Sequence, residues 1–414
     1  TVLNTTNGNT TGAVNANSVT TLTGTATQVD TLYNSSGISG LGDEGVEISD
    51  TEITATLMNQ VNGHTSGVIN AASVTTITGE VENINAVYAS ANTSPVEISG
   101  LGNEAVTIED TNLAVAKLNT LDGYTSGAIN ASTLTTLSGT TSALNTAYAS
   151  SGITGLGDEA VTLSDITIDG AVLNTLDGNT TGAVNASALT TISGAAADAN
   201  TAYASNGITG LGNEIVSISD VSITASVLNT LDGNTTGEVN GTNLTTITGA
   251  AADVNTAYAS SGITNLGNET VTITDTSVAA TVLNTLDGNT TGAVNATSLS
   301  TLTGTASQVL TSYSSSGLTG LGTENVTLTG SVSAADLTTI HAKSGNTRKY
   351  TPSSDGTYTS SGDIGLYTVS GATITEGDVA TLLTIEGRIQ CTITITDTTV
   401  SAADINALEN NYGP

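Results

Sequence analysis

Apolar and polar positions return in the same order along most of the chain. The run LNTLDGNTTGAVNAS, or a close variant, begins at Leu3, Met58, Leu118, Leu173, Leu228 and Leu283. The steps are 55, 60, 55, 55 and 55 residues, and the longer step carries five extra residues around Ala91-Asn92-Thr93-Ser94-Pro95. A fixed period of this length marks stacked supersecondary units.

The copy from Val216 to Thr270 shows the grammar. Val216-Ser217-Ile218 and Val221-Ser222-Ile223 alternate apolar with hydroxyl side chains, which predicts short strands. In the next segment Ala225, Leu228 and Leu231 lie three apart, which predicts a short helix, or a 3₁₀ turn, capped by Thr224 and ended by Gly233. The stretch from Val239 to Gly249 matches that segment position by position, and Ala252 to Tyr258 gives a third version. Each copy is therefore expected to hold about three units of short strand, polar cap, short helix and glycine. The turn-rich segment from Gly262 to Glu269 closes it.

No such unit buries its own apolar face, because helices below about 12–15 residues and strands of three or four are marginal alone. Stacking joins their Val, Ile and Leu positions into columns. The expected fold is a repeat solenoid: a parallel β-solenoid with short strands and interleaved short α or 3₁₀ helices, about 55 residues per repeat, akin to a leucine-rich-repeat coil. Beads on a string are the alternative, and separate domains of that size stand near the lower limit of stability.

The solenoid is assigned to residues 1–330, and residues 331–414 to a divergent C-terminal cap or the start of a second array. After Gly330 one more helical unit, Val332 to Ile340, precedes strand-like pieces at Ile364 to Val369 and Ile389 to Ile395. The last alternates strictly and would place Ile389, Cys391, Ile393 and Ile395 on one face of a core strand. The chain opens at Thr1-Val2-Leu3, partway through a copy, as a segment of something longer or a processed product would.

Charge narrows the partners. Five basic residues face 37 acidic ones, a formal net charge of -32. Without cations to displace counterions from phosphates, nucleic acid is excluded as a partner, and an anionic membrane surface is disfavoured for the same reason. Self-repulsion of this size suits salt or divalent cations. With one cysteine, Cys391, no intrachain disulfide forms. No apolar run is long enough for a transmembrane span. Phe and Trp are absent, yet the aliphatic residues recur in register, which a disordered linker does not require.

Several polar positions recur at the period and are candidate calcium or structural turn positions: Asp122, Asp177, Asp232 and Asp287; Asp158 and Glu159; Glu214 and Glu269. Asp50, Asp110, Asp165, Asp220 and Asp275 form a further column. Hard oxygen ligands on turns suit calcium. The same residues also serve as turn and cap residues on a solvated face, and the spacing matches no EF-hand. Tyr148, Tyr203, Tyr258 and Tyr313, with Tyr33 and Tyr88 before them, keep one place per copy. They could line a glycan-binding face, or each could pack over a helix end with its hydroxyl at the surface. Threonine pairs such as Thr245-Thr246 recur. A flat threonine array can order water as in ice-binding solenoids, but these pairs fall in a segment read as helical. Enzyme chemistry is not expected. The only histidines are His64 and His341, His64 stands where other copies have Asn in a tolerant surface loop, and no nucleophile elbow, phosphate loop or metal motif is present.

The phrases LNTLDGNTTGAVNAS and AYASSGITGLGNE resemble the threonine-rich tandem repeats of very large cell-surface or secreted proteins of marine cyanobacteria, including giant proteins linked to swimming motility. The resemblance covers roughly residues 1–330. It implies an extracellular or cell-surface, adhesin-like role and calcium-dependent export, and it supplies no catalytic residues. The expected function is a non-enzymatic structural repeat: a rigid spacer, surface layer or filament component that self-associates or extends a longer chain. An adhesin gripping surface glycans or neighbouring cells is the first alternative, and a viral tail-fibre or spike rod is the second.

Overall fold

A computed structural model of the chain describes residues 2–329, the helix 334–344 and the short strands 366–367, 373–376, 388–389 and 392–395. Two compact units are present. One is Thr1–Ile192 with Thr201–Leu211; the other is Ser193–Asn200 with Gly212–Pro414.

Each unit is a repeat solenoid of mixed parallel strand and α-helix. In the second unit the helices Ala225–Asn234, Ala251–Ala259, Ala280–Asn289 and Ala306–Ser314 follow one another, one per coil, and neighbours pack side by side. Their starts alternate 26 and 29 residues apart, which sum to the 55-residue copy. The shorter coil carries two strands, Val239–Asn240 and Thr246–Gly249; the longer carries three, Ile263–Thr264, Thr270–Ile273 and Ser277–Ala279. The first unit repeats the alternation with helices Ala26–Tyr33, Ala55–His64, Val81–Ala91, Val115–Asp122, Thr141–Ala149 and Gly170–Asn179. The five extra residues of the second copy lengthen one interval from 29 to 34 residues, between the starts of Val81–Ala91 and Val115–Asp122.

Among the described residues all the strand pairs are parallel, and their register makes columns of apolar residues. In the second unit Ile223, Ile247, Val271, Val294 and Leu318 stand opposite one another in turn. In the first, Ile53, Ile77, Val106, Ile129 and Ile153 do the same. These ten side chains are buried. On the helices the positions three apart turn inward: Ala225, Leu228 and Leu231 are all fully buried. The inner face of each helix thus covers the aliphatic columns that no single coil could enclose.

A ladder step in the second unit is 24, 24, 23 and 24 residues, shorter than either helix interval. Packed helices stand about 8–10 Å apart, whereas paired strands stand about 4.7–4.9 Å apart. A coil containing both must reconcile the two spacings. It does so by shear: each five-stranded sheet moves obliquely across the coils, beginning on a strand just before one helix and ending on a strand just after another.

Helix-to-helix contacts are reinforced by an asparagine ladder. Asn229 donates to the carbonyl of Asp253 at 2.9 Å, Asn255 to that of Val282 at 3.0 Å, and Asn284 to that of Gln308 at 2.9 Å. In the first unit Asn59 and Asn119 bond in the same way to Asn83 and Ala143.

Two sequence expectations need correction. The stretch from Val239 to Gly249 is not helical; it forms strand, turn and strand, so each copy holds two helices. The threonine pairs consequently sit at strand starts, where Thr245 Oγ1 donates to the Val221 carbonyl of the preceding coil at 3.2 Å and Thr246 begins a ladder. Of the run from Ile389 to Ile395, the described residues lie on two pieces of strand. Arg388–Ile389 pairs with Leu366–Tyr367, and Thr392–Ile395 pairs with Thr373–Glu376. Ile389, Ile393 and Ile395 lie on these strands, and Cys391 lies outside the described residues.

Candidate functional site

The repeated polar residues fall into three sets, each fixed by a different local geometry. The first is enclosed within a turn. Glu44, Glu159, Glu214, Glu269 and Glu324 are fully buried, and Glu104 is 1% exposed. Each carboxylate folds back onto its own turn and accepts the backbone N–H of the glycine two residues earlier, at 2.8 Å for Gly267 and Glu269. The tyrosine at the end of the preceding helix donates its hydroxyl to the same group. Tyr258 reaches Glu269 at 2.9 Å, Tyr148 reaches Glu159 at 3.1 Å and Tyr313 reaches Glu324 at 2.6 Å. Tyr33 and Tyr88 pair alike with Glu44 and Glu104.

The tyrosine hydroxyls therefore point inward, in contrast to the surface position expected from the sequence. Burial, with the carboxylate alongside, pushes Tyr33, Tyr88, Tyr148 and Tyr258 well above the ordinary tyrosine range. Tyr203 occupies the equivalent half-buried place. The turn is sealed by close backbone approach: a Cβ on Gly292 would lie 2.3 Å from the Glu269 carbonyl oxygen. Thr290 Oγ1 donates to that same oxygen at 2.8 Å.

The second set joins consecutive coils near the helix C-terminal ends. Asp122, Asp177, Asp232 and Asp287 are half-buried. They accept the hydroxyls of Ser150, Ser205, Ser260 and Ser315 at 2.9, 2.6, 2.7 and 2.7 Å. The third set joins coils at the helix N-terminal ends, where Asp50, Asp110, Asp165 and Asp275 each accept the first backbone N–H of an earlier helix at 2.7 Å. Asp220 does the same for Ala196 at 2.8 Å.

Of the residues singled out for calcium, only Asp158 is exposed on its turn. Glu159, Glu214 and Glu269 are enclosed, and the four aspartates at the helix ends are bonded to serines. Among the described residues, no three His, Cys, Asp or Glu side chains converge in the manner of a metal site. His64 is not in a loop. It ends the helix Ala55–His64, lies 3.1 Å from Asp30 and stacks on Tyr33 with ring centroids 5.2 Å apart. The next copy places Tyr124 there, stacked on Tyr88, and the copies after it fill the two places with asparagines, as in Asn179 donating to Asn145 at 2.9 Å.

Periodicity alone does not join tyrosine to glutamate, although both residues recur once per copy. The signal of the pairing is a constant offset of 11 residues in the pairs at Tyr148, Tyr258 and Tyr313, which the insertion stretches to 16 at Tyr88 without breaking the bond.

Chemically, the enclosed carboxylates bond to groups of their own turn and to tyrosine, and the bridging ones bond to neighbouring coils. No protein-family model, curated protein or solved structure matches the chain. Among the described residues no helix is long and apolar enough to cross a membrane.

Proposed function

We propose that this chain is a non-enzymatic structural repeat protein that serves as an extracellular spacer, part of a larger surface chain or filament. The observation that carries this reading is where the repeated polar residues go: the Glu, Asp and Asn columns hold one turn together or one coil to the next. A protein selected for a pocket would keep a few polar groups unique and convergent. Here they are distributed evenly, as a length-setting array requires. The excess of 37 acidic residues over five basic ones favours a saline, cation-containing exterior.

The test is to insert two or four further 55-residue copies into the full chain and measure the maximum dimension by small-angle X-ray scattering. A spacer gains a constant increment per copy. With two coils per copy, that increment lies between about 10 and 20 Å, the limits set by strand and helix spacing. A maximum dimension that grows only as the cube root of mass would overturn the proposal.

A further inference from the structure

One sheet of the second unit carries an outer face made almost wholly of hydroxyls. Its strands Ser222–Thr224, Thr246–Gly249, Thr270–Ile273, Val294–Asn295 and Leu318–Thr319 pair in that order. Side chains along a strand alternate between faces. The buried column Ile223, Ile247, Val271, Val294 and Leu318 therefore puts its chain neighbours on the outside. One outer row is Ser222, Thr246 and Thr270, and the other is Thr224, Thr248, Thr272, Asn295 and Thr319. Each member stands opposite the next, and all are exposed or half-exposed.

No member of either row is charged, although the chain carries 37 acidic residues. Ser222, Thr246, Thr270 and Thr272 make no side-chain hydrogen bond among the described residues. Thr248 and Thr319 each donate to a carbonyl of the strand before, at 3.5 and 3.2 Å, and keep their oxygens open as acceptors. A hydroxyl offers one donor and two acceptor sites, so water takes what the protein leaves open. Other ladders are interrupted: Thr76 has Glu52 and Ala105 on either side, and Thr303 has Ala279 beside it.

Strand register fixes the spacing of this mesh. Members of a row stand about 4.7–4.9 Å apart, and the two rows lie two residues apart along the strand, about 6.6 Å. Both repeats lie close to those of the oxygen mesh on a face of hexagonal ice. A charged side chain would impose its own hydration shell and break that mesh. The threonines sit on strands, and not on a helix as the sequence suggested, so their positions do not rotate away from one another.

We infer that this outer face is an ice-binding surface, which holds an ordered layer of water on its two hydroxyl rows. This activity is additional to the spacer role and does not depend on it. A sugar site would ask for a concave, aromatic-lined pocket, and Tyr258 and Tyr313 turn inward to Glu269 and Glu324.

Ice-affinity partitioning of the full chain tests this. The solution is frozen slowly from a cold surface, and the protein in the ice is compared with that left in the liquid. An ordinary solute is excluded, whereas this chain should be enriched in the ice. Thr246→Lys with Thr270→Lys puts two charges into one row and should abolish the enrichment. Thr230→Lys with Thr256→Lys sets the same charges on exposed helix positions and should leave it intact. Ser222→Lys with Thr319→Lys, at exposed ends of the rows, repeats the test should the first pair fail to fold by circular dichroism. Exclusion of the unaltered chain from ice, enrichment that survives in the folded sheet variants, or equal loss in the helix control would overturn the inference.

Discussion

Glu269 and Asp275 stand a few residues apart in one copy, and each accepts a backbone N–H, but the two regions use the carboxylate differently. Glu269 lies inside a turn, fully buried, held by Gly267 and by the tyrosine of the helix just before it. Asp275 lies at a coil junction, half-buried, and reaches back to the first residue of that helix. Removing the first leaves donors stranded away from water. Removing the second leaves a helix end that solvent can partly satisfy. Burial, more than bond length, separates them, since the two N–H contacts measure 2.8 and 2.7 Å. The repeat thus places a fully buried carboxylate within a coil and a half-buried one between coils.

The sharpest way to break this comparison is Glu269→Ala. It strands the Tyr258 hydroxyl and the Gly267 N–H in a closed turn and should cost about 3 kcal/mol, seen as a lowered urea midpoint. A loss no greater than that of a junction aspartate would erase the distinction.

A milder probe uses pH. The folded-state tyrosines are raised by burial beside glutamate, so the unfolded chain gives up its phenolic protons first. Stability from this source is complete below about pH 10, the unfolded tyrosine value, and falls as pH rises above it. Thermal midpoints measured from pH 8 to 11 should be level at first and then decline. Tyr258→Phe should make that decline shallower, and an unchanged slope would refute the assignment. The smallest effect is expected at Lys117 and Glu82, an exposed ion pair on the helix row. Glu82→Gln should leave the thermal midpoint unchanged within error, because solvent screens such pairs.

The solenoid class was legible because the aliphatic residues recur in register, and Ala225, Leu228 and Leu231 correctly marked a helix. The misread stretch from Val239 to Gly249 shows the limit of periodicity. Val239, Leu244 and Ile247 are spaced irregularly enough to suit either a helix face or two short strands. The choice is made by neighbours: Val239 pairs with Val216 and Ile263, and Ile247 with Ile223 and Val271. The acidic columns were visible, but their burial was not. A glutamate in a Gly-rich turn looks solvated until the tyrosine that covers it is placed by the fold.

The unequal pacing of strands and helices has an evolutionary corollary. Coils alternate between two strands and three, and each five-stranded sheet begins on the third strand of the longer coil. Duplicating a single coil would set a two-strand segment where a three-strand one is needed and leave a sheet without its first member. Such an array can be lengthened or shortened by gene rearrangement only in even numbers of turns, so the 55-residue pair, and not the individual turn, is its unit of inheritance.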